Sequence, residues 1–236
     1  MKNLLPQERP VTIFVNEQAI VTLMATPAHL RELAIGYLKN TGRIDVLEQI
    51  GRLYACEDDE RLMIEGETIL QQESSAAFIA SACGQAQPQG QALPSPLTVS
   101  ATFFMAELQA AVSRLLRSNQ RYSQTGGIHA AALISGAYFN CREDIGRHNA
   151  HDKVTGAAME AGVDLTRAAI LGTGRISSDM VIKAVHARIP VLASLSVPTD
   201  LAAGIAERYG ICLIGRMTKE QPVIWTHPER INEKPA

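Results

Sequence analysis

The start of the chain alternates apolar and polar positions in two short runs. Residues 11–16 and 20–24 are rich in β-branched side chains and are separated by three residues, which predicts an opening β-hairpin. Thr26 and Pro27 then supply an N-cap and a first helical residue. Apolar positions recur after them at helical spacing, so we expect an amphipathic helix over residues 27–41.

A second hairpin is indicated further along. The runs 52–56 and 61–65 flank a turn of four acidic residues and place Cys56 on a strand. The two hairpins and the helix predict a small β-rich N-terminal lobe over residues 1–75.

The next stretch is the most loop-like part of the sequence. Residues 84–91 are rich in Gly and Gln and have no apolar periodicity. We therefore expect a mobile segment over residues 76–101, with Cys83 at the head of its loop. Apolar spacing resumes after it and predicts a helix over residues 102–119.

From Ala130 onward, strand-like and helical patterns alternate. Two successive strand–helix–strand units predict a mainly parallel sheet with right-handed crossovers, and ligands bind beyond the carboxyl ends of such strands. This α/β body is expected over residues 102–236. The predicted strands are 131–135, 137–141, 168–171, 190–194, 211–215 and 223–226, and the predicted helices are 149–161, 177–187 and 200–209.

Composition supports a folded globular protein. Apolar residues make up 46% of the 236 and charged residues 19%, with a mean hydropathy of +0.01. The 22 Lys and Arg against 24 Asp and Glu give a net charge of −2, which excludes a general positive field for nucleic acid or an anionic membrane. An anionic ligand must therefore be bound by a local cluster. Apolar runs are too short to span a bilayer and the N-terminus has no secretory pattern, so we expect a cytoplasmic protein.

The four cysteines do not form a recognisable framework. They lie far apart without a C-x-x-C pair, which fits neither a set of disulfides nor a Cys-rich zinc site. Three of them fall in strand-like surroundings, where a cysteine is usually a small buried apolar residue. Cys83 differs because it leads into the Gly/Gln loop, where an accessible thiolate is possible beside a structural role.

Two glycine-containing turns are candidates for ligand binding. Residues 172–178 join a predicted strand to a predicted helix, and Gly172 and Gly174 permit close approach of an anion. The turn lacks the Gly-Lys-[Ser/Thr] of a Walker loop and equally fits a tight connection capped by a serine. Residues 125–129 form a second such turn and end in His129.

The densest polar cluster is residues 143–153, where a predicted strand gives way to a helix. It collects three acids, two cations and two histidines, which fits either a solvated helix start with local ion pairs or a polar ligand pocket. The zinc-deaminase signature and the G-x-S-x-G elbow of serine hydrolases are both absent from the sequence.

Several segments together resemble the formate dehydrogenase accessory (FdhD) family, also called sulfur carrier proteins. Their order and approximate spacing hold over nearly the whole chain, and Glu-Asp-Ile-Gly-Arg-His-Asn at 143–149 is the most specific string. The matching segments are Val15-Asn16, Thr26-Pro27, 33–38, 82–84, 125–131, 143–150, Asp152-Lys153, 173–181 and Pro198-Thr199.

The resemblance implies both a fold and an activity. The fold is a three-layer α/β body like that of cytidine deaminase without its zinc, with a mainly parallel or mixed sheet and a small N-terminal β-rich lobe. Family members are usually homodimers. They accept sulfur from a cysteine desulfurase as a cysteine persulfide and pass it to the molybdenum bis(molybdopterin guanine dinucleotide) cofactor of formate dehydrogenase. Cys83 is the residue to which the resemblance assigns the persulfide.

The resemblance also implies a set of residues that bind this cofactor, with a guanine nucleotide as its analogue. Arg147, His148, Lys153 and Arg175 would contact phosphates, while Gly126, Gly127 and Gly174 would allow close approach. The remaining implied contacts are His129, Ser177, Arg216, Met217, Thr218, Lys219, Glu220 and Gln221.

The sequence departs from the family at a position that matters for the chemistry. The family's Cys-Gly-x-Cys reads Cys83-Gly84-Gln85-Ala86 here, so the first cysteine is kept and the second is lost. Three hypotheses follow. The chain is a sulfurtransferase that uses Cys83, or a binding module that holds or delivers the guanine dinucleotide cofactor without transferring sulfur, or a structural or regulatory relative with neither activity.

Overall fold

The computed structural model describes most of the chain. The described residues are 5–55, 61–67, 69, 79–80, 93–98, 101–118 and 126–232. Cys56 and Cys83 lie outside them, as does most of the predicted mobile segment 76–101.

The N-terminal lobe is built on a five-stranded sheet. Both predicted hairpins are confirmed over the described residues, since β1 pairs antiparallel with β2 and β3 pairs antiparallel with β4. From Val11 to Val15 every second side chain of β1 is buried, which is the alternation expected of a sheet with one face on a core. In the order β3-β4-β1-β2-β5, the strands are β1 (Arg9–Val15), β2 (Gln18–Ala25), β3 (Arg52–Ala55), β4 (Arg61–Glu65) and β5 (Ile79–Ala80).

The helix of this lobe, α1 (Leu30–Asn40), begins later than the sequence predicts. Its N-cap is His29 in a left-handed conformation, with φ of 57°, so the prediction that Thr26 caps the helix is wrong. The reason is tertiary, because the backbone and hydroxyl of Thr26 are hydrogen-bonded to the body of the protein.

The body contains a six-stranded sheet in the order β12-β11-β10-β9-β7-β8. The three central strands β9 (Ala169–Gly172), β10 (Val191–Ser194) and β11 (Cys212–Gly215) are parallel. The flanking strands β7 (His129–Ser135) and β12 (Val223–Thr226) are antiparallel to their neighbours, and β8 (Tyr138–Asp144) is antiparallel to β7. The sheet is therefore mixed, because β7–β8 and β11–β12 are connected as hairpins rather than by crossover helices.

Helices cover both faces of this sheet, so the predicted three-layer α/β fold is confirmed. On one face, α3 (Arg147–Glu160), α4 (Ser178–Ala187) and α5 (Asp200–Tyr209) enclose one apolar core. On the other face, α2 (Met105–Ser118) encloses a second core with the short strands β6 (Phe103–Phe104) and β13 (Ile231–Asn232). None of the helices in the described ranges is long and apolar enough to cross a membrane.

The lobe and the body are joined by a close crossing of α1 on α3. A Cβ on Gly36 would overlap the carbonyl oxygen of Asp152, and one on Gly156 would overlap that of Glu32. Glycine at both positions lets the two backbones touch. The contact holds the lobe beside the start of α3 and hence beside one edge of the body sheet.

Candidate functional site

The carboxyl ends of the parallel strands meet at one edge of the body sheet. Strands β9, β10 and β11 end there at Gly172, Ser194 and Gly215. Strand β7 is antiparallel to β9 and begins at the same edge, with Ala131 paired to Gly172. Strand β8, antiparallel to β7, ends there at Asp144. We call this set of strand ends, with the turns that follow them, the carboxyl edge.

Asp144 is the buried centre of the turn between β8 and α3. Its side chain has no exposure to solvent and accepts four hydrogen bonds. Oδ1 accepts from the backbone N–H of Gly146 at 2.9 Å and from Asn149 Nδ2 at 3.0 Å, while Oδ2 accepts from Thr26 N–H at 3.1 Å. The fourth donor is Lys153 Nζ, at 2.6 Å. These bonds fix where α3 begins.

Lys153 therefore supports the site from within. Its side chain is fully buried, and its ammonium group binds Asp144 and the carbonyl oxygen of Thr26 at 2.9 Å. The resemblance predicts that Lys153 contacts phosphates, whereas the structure places it beneath the surface. Its contribution is to neutralise the Asp144 carboxylate, which could not remain buried and charged alone.

A second buried ion pair lies deeper along α3. Lys183 Nζ of α4 donates to Asp152 Oδ2 at 2.6 Å, and Asn40 Nδ2 of α1 donates to Asp152 Oδ1 at 2.7 Å. Asp152 thus joins three helices. The Lys183 ammonium also lies 5.6 Å from the centre of the Tyr37 ring.

Arg147 presents a guanidinium group at the carboxyl edge. It is half-buried at the first position of α3, and its buried Nε has no hydrogen-bond partner among the described residues. A Cβ on Gly174 would lie 2.9 Å from Arg147 Cδ and 3.3 Å from His129 Cε1. A larger residue at position 174 would therefore collide with these two side chains.

His129 lies between this arginine and the turn after β9. Its Nδ1 is 3.4 Å from Thr173 Oγ1, which also accepts from the backbone N–H of Ala130 at 3.1 Å. Burial lowers the pKa of His129 and the Arg147 guanidinium lowers it further, while the Asp144 carboxylate opposes the shift. The neutral imidazole is favoured, so His129 serves as a hydrogen-bonding group rather than as a charge.

His151 lies one turn beyond Arg147 on the same face of α3. It is buried against Gly172, whose Cβ position would be 2.9 Å from His151 Nε2. Burial, and then the positive charges of Lys183 and Arg147, lower the pKa of His151 to about 3. His151 is therefore neutral at physiological pH, which keeps one further positive charge away from the edge.

The start of α4 contributes a second pair of predicted residues. Ser177 is the N-cap of α4, but its hydroxyl does not cap the helix. It lies 3.3 Å from His148 Nε2 instead. His148 and Ser177, which the resemblance implies as separate site residues, are thus brought together, whereas Arg175 on the same turn is exposed.

The segment 216–221 follows β11 along the same edge. The backbone N–H of Arg216 donates to Ser196 O at 2.8 Å, and that of Met217 donates to Ser194 O at 3.1 Å. Ser194 Oγ in turn donates to the carbonyl oxygen of Gly174 at 2.6 Å, which links the segment to the glycine turn. Met217 is buried in the second core, while Arg216 and residues 218–221 are exposed.

Trp225 closes the far end of this edge. A Cβ on Gly215 would lie 2.6 Å from Trp225 Cζ3, so the indole ring packs against the backbone at the point where β11 ends. Trp225 is 37% exposed. The ring thus borders the segment that begins at Arg216.

The structure brings most of the predicted site residues to one edge. Gly174 lies against Arg147 and His129, and His148 lies against Ser177. The exposed Gly126 and Gly127 directly precede Ile128 and β7. Sequence reasoning did not single out Thr26, Asp144, Asn149, Thr173 or Ser194 as members of the site. Asp144 and Asn149 stand in the most specific string, so that string was the signal that pointed to them.

The carboxyl edge suits an anionic ligand. Arg147 and the exposed Arg175 and Arg216 follow three different strand ends, and Arg147 has no carboxylate partner among the described residues. A guanidinium group without a partner binds phosphate oxygens well because it presents several donors in one plane. The residues present therefore fit a phosphate-containing substrate.

The two described cysteines are poorly suited to nucleophilic chemistry. Burial raises the pKa of Cys212 to about 12, and burial also raises the pKa of Cys141 on β8. Both thiols remain protonated at neutral pH, and a protonated thiol is a weak nucleophile. Cys83 lies outside the described residues.

Comparison with known proteins identifies relatives over the whole described length. The family model described as the FdhD/NarQ family matches residues 6–232. A protein named sulfur carrier protein FdhD from Bacillus subtilis (strain 168) is 33% identical over 237 residues, covering 96% of this chain and 89% of its own length. A protein of the same name from Sulfolobus acidocaldarius is 34% identical over 231 residues, covering 95% and 90%.

A solved structure agrees with these relatives. The crystal structure of a formate dehydrogenase accessory protein from Desulfotalea psychrophila superimposes with a TM-score of 0.77 at 27% sequence identity. The match covers 96% of this chain and 89% of the other.

Proposed function

The chain belongs to the FdhD/NarQ family, and from that premise we propose that it is a sulfur carrier for formate dehydrogenase. It receives sulfur from a cysteine desulfurase as a persulfide on Cys83. It passes that sulfur to the molybdenum bis(molybdopterin guanine dinucleotide) cofactor, which is its substrate. The proposal includes a homodimer in the cytoplasm, with the desulfurase and formate dehydrogenase as protein partners.

The observation that carries the proposal is the register of β5 on β2. The two strands are parallel, with Thr22 paired to Ile79 and Leu23 paired to Ala80. Strand β2 then runs through Ala25 to Thr26, which is hydrogen-bonded to Asp144 at the carboxyl edge. Strand β5 is parallel to β2 and therefore runs towards that edge as far as Ala80.

Covalent geometry limits how far Cys83 can be from this point. It lies three residues after Ala80, and a residue spans at most about 3.5 Å, so its Cα is within roughly 11 Å of that of Ala80. Thr26 lies the same three residues after Leu23, the partner of Ala80. We propose that Cys83 meets the cofactor at this edge.

The loading step is a thiol–persulfide exchange. The Cys83 thiolate attacks the outer sulfur of the desulfurase persulfide, a new sulfur–sulfur bond forms on Cys83, and the desulfurase cysteine leaves as a thiolate. Loss of the second family cysteine at Ala86 does not prevent this step, because the step uses one thiol of the carrier.

Binding of the cofactor is assigned to the carboxyl edge. Arg147, Arg175 and Arg216 would hold its phosphates, with His129, His148 and Ser177 as hydrogen-bonding groups and Gly126, Gly127 and Gly174 leaving room. The exposed residues Thr218, Lys219, Glu220 and Gln221 extend this surface, while Lys153 and Met217 support it from the interior. The cofactor supplies the molybdenum centre that accepts the sulfur.

The direct test is intact-protein mass spectrometry after incubation with a cysteine desulfurase and cysteine. The native protein should gain one sulfur, about 32 Da by elemental mass. Cys83→Ala should show no gain, whereas Cys141→Ala should load as the native protein does. A Cys83→Ala protein that still gains this mass would refute the assignment.

A second candidate function is favoured by the loss of the second cysteine and by Arg147 Nε, which has no hydrogen-bond partner among the described residues. In that case the chain is a binding module that holds or delivers the guanine dinucleotide cofactor without transferring sulfur. It would bind guanosine diphosphate equally well with and without Cys83. Mass spectrometry would then show no added sulfur in the native protein.

A further inference from the structure

Thr26 connects the N-terminal lobe to the carboxyl edge through hydrogen bonds. It is 2% exposed, and each of its polar groups bonds across to the body. Its N–H donates to Asp144 Oδ2 at 3.1 Å, its carbonyl oxygen accepts from Lys153 Nζ at 2.9 Å, and its hydroxyl oxygen accepts from Ile145 N–H at 3.2 Å.

These bonds bracket the turn that carries Arg147. Asp144 and Ile145 belong to that turn, and Lys153 lies on α3 and binds Asp144 from below. Gly146, which completes the turn, donates to Asp144 Oδ1. The position of the first residue of α3 is thus set jointly by Asp144 and Thr26.

The conformation of Thr26 is itself restricted. Pro27 follows it, and the residue before a proline is kept out of the helical region by a steric clash. Proline thus favours an extended Thr26 directly after β2, where its hydroxyl accepts from Ile145 N–H. This explains why Thr26 and Pro27 stand together although Thr26 does not cap α1.

We propose that Thr26 is a positioning residue of the anion site: its hydroxyl bond to Ile145 N–H holds the β8–α3 turn so that Arg147 faces the carboxyl edge. The proposal rests on the proposed binding of a guanine nucleotide at this edge. Thr26 does not contact the ligand, since it is buried behind the turn. It acts through the placement of Arg147.

The variant that tests this is Thr26→Val, which keeps the shape of the side chain and both backbone bonds but removes the acceptor for Ile145 N–H. Asp144 variants are less informative, because they leave Lys153 buried without its counter-ion and also change the charge beside His129. Thr26→Ser restores a hydroxyl. Thr12→Val is the matched control, since it removes a 2.9 Å hydroxyl bond to Thr22 within the same lobe sheet.

The first readout is the affinity for guanosine diphosphate, measured by calorimetry. Thr26→Val should weaken binding about 3- to 10-fold, the effect expected for loss of one hydrogen bond that orients a charged group. Thr26→Ser should bind within about 2-fold of the native protein, and Thr12→Val should be unchanged. In an Arg147→Gln background Thr26→Val should have no further effect, because the two residues act through the same contact.

The second readout does not depend on the ligand. The pKa of His129 is lowered by burial and then by Arg147, and is raised by Asp144 at the end of β8; the neighbouring Thr173 is uncharged. If Arg147 moves in Thr26→Val, the pKa of His129 should rise towards its ordinary value of about 6.5 in an NMR titration. Thr12→Val should leave this titration unchanged, which separates the effect from general loosening of the lobe.

The two readouts keep the possible failures apart. Absence of guanosine diphosphate binding in the native protein would refute the proposed ligand, while the His129 titration would still decide whether Thr26 places Arg147. An unchanged His129 titration in Thr26→Val would overturn the positioning role. Equal losses of affinity in Thr26→Val and Thr12→Val would overturn it as well.

Discussion

Gly36 of α1 and Asp152 of α3 lie in backbone contact, at the point where the lobe meets the body. A Cβ on Gly36 would overlap the Asp152 carbonyl oxygen, and the same residue's carboxylate is bonded to Asn40 one turn further along α1. The crossing therefore combines close packing with a buried polar contact. It fixes the distance between the strand that leads to Thr26 and the helix that begins at Arg147.

Replacing Gly36 with alanine should destabilise the protein. The added methyl group meets backbone on α3, which cannot move aside as a flexible side chain can, so a loss of at least about 1–3 kcal/mol is expected. Gly204→Ala is the control, because Gly204 lies in α5 with open space around its Cβ position. It should gain about 0.5–1 kcal/mol from helix propensity. Free energies of unfolding in urea measure both changes, and equal values for the two variants would contradict the close crossing.

Removing Lys183 should be far more costly than removing an exposed cation. Lys183→Ala leaves Asp152 buried without its counter-ion, and breaking a buried pair in this way typically costs about 3–5 kcal/mol. Arg31→Ala breaks the pair between Arg31 and Glu160, where the arginine is 54% exposed, and should cost about 1 kcal/mol or less. Urea unfolding at neutral pH compares the two. A loss of stability in Lys183→Ala as small as that in Arg31→Ala would show that the Lys183–Asp152 pair contributes little to holding the helices together.

His151 should make stability fall in mild acid. Its pKa is about 3 in the folded protein and about 6.5 in the unfolded chain, so only the unfolded state gains the proton as the pH falls below 6.5. By pH 5 this amounts to about 2 kcal/mol of lost stability relative to pH 8. Between pH 8 and pH 5, the free energy of unfolding of the native protein should therefore fall by about 2 kcal/mol more than that of His151→Gln.

His227 provides the opposite control for that measurement. Burial lowers the pKa of His227, but its hydrogen bonds to Glu229 and to the Glu207 carbonyl outweigh burial and raise the pKa above its ordinary value. Its contribution to stability is therefore present in acid and is lost as the pH rises through its folded-state pKa. His227→Gln should change the pH dependence in the direction opposite to His151→Gln. The same direction for both variants would contradict the assigned burial of His151.

Arg147 should matter for binding and hardly at all for folding. Its Nε forms no hydrogen bond within the described part of the chain, so Arg147→Gln should change the free energy of unfolding by less than about 0.5 kcal/mol. Its affinity for guanosine diphosphate should fall about 10- to 100-fold, as expected for a lost charged hydrogen bond. Arg167→Gln is the control, because Arg167 is exposed and precedes β9 at the opposite end of the sheet. Similar affinities of the two variants would remove Arg147 from the site.

The positions of most helices and strands could be predicted from the sequence, because the spacing of apolar residues depends on the local secondary structure. The alternation in β1 and β2 and the helical spacing that follows mark elements whose cores lie on one face. The sheet order was less accessible, because sequence spacing does not show which strands become neighbours. Strands β8 and β12 are antiparallel to β7 and β11 because no crossover helix separates them, and the antiparallel pairing of β7 with β9 appears only in the folded sheet. The central three strands follow the predicted crossover pattern.

The site residues show a different limit. The family resemblance implied that Arg147, His148, Gly174 and Ser177 belong to the site, but it gave no measure of how deeply each side chain is buried. Lys153 and Arg147 are both cations in one string, yet one is fully buried against Asp144 and the other faces the edge. Thr26 has the local signature of a helix cap, and contacts more than a hundred residues away along the chain override that signature.

The packing of Trp225 on Gly215 has a practical consequence. Trp225 is the only tryptophan in the sequence, and its half-exposed ring borders the segment that begins at Arg216. Indole emission responds to the polarity around the ring, so the protein carries a single indole fluorophore at the end of its ligand edge. Binding of guanosine diphosphate can therefore be followed by this emission without a chemical label or an added tryptophan. Trp225→Phe, which lacks the indole emission, is the control.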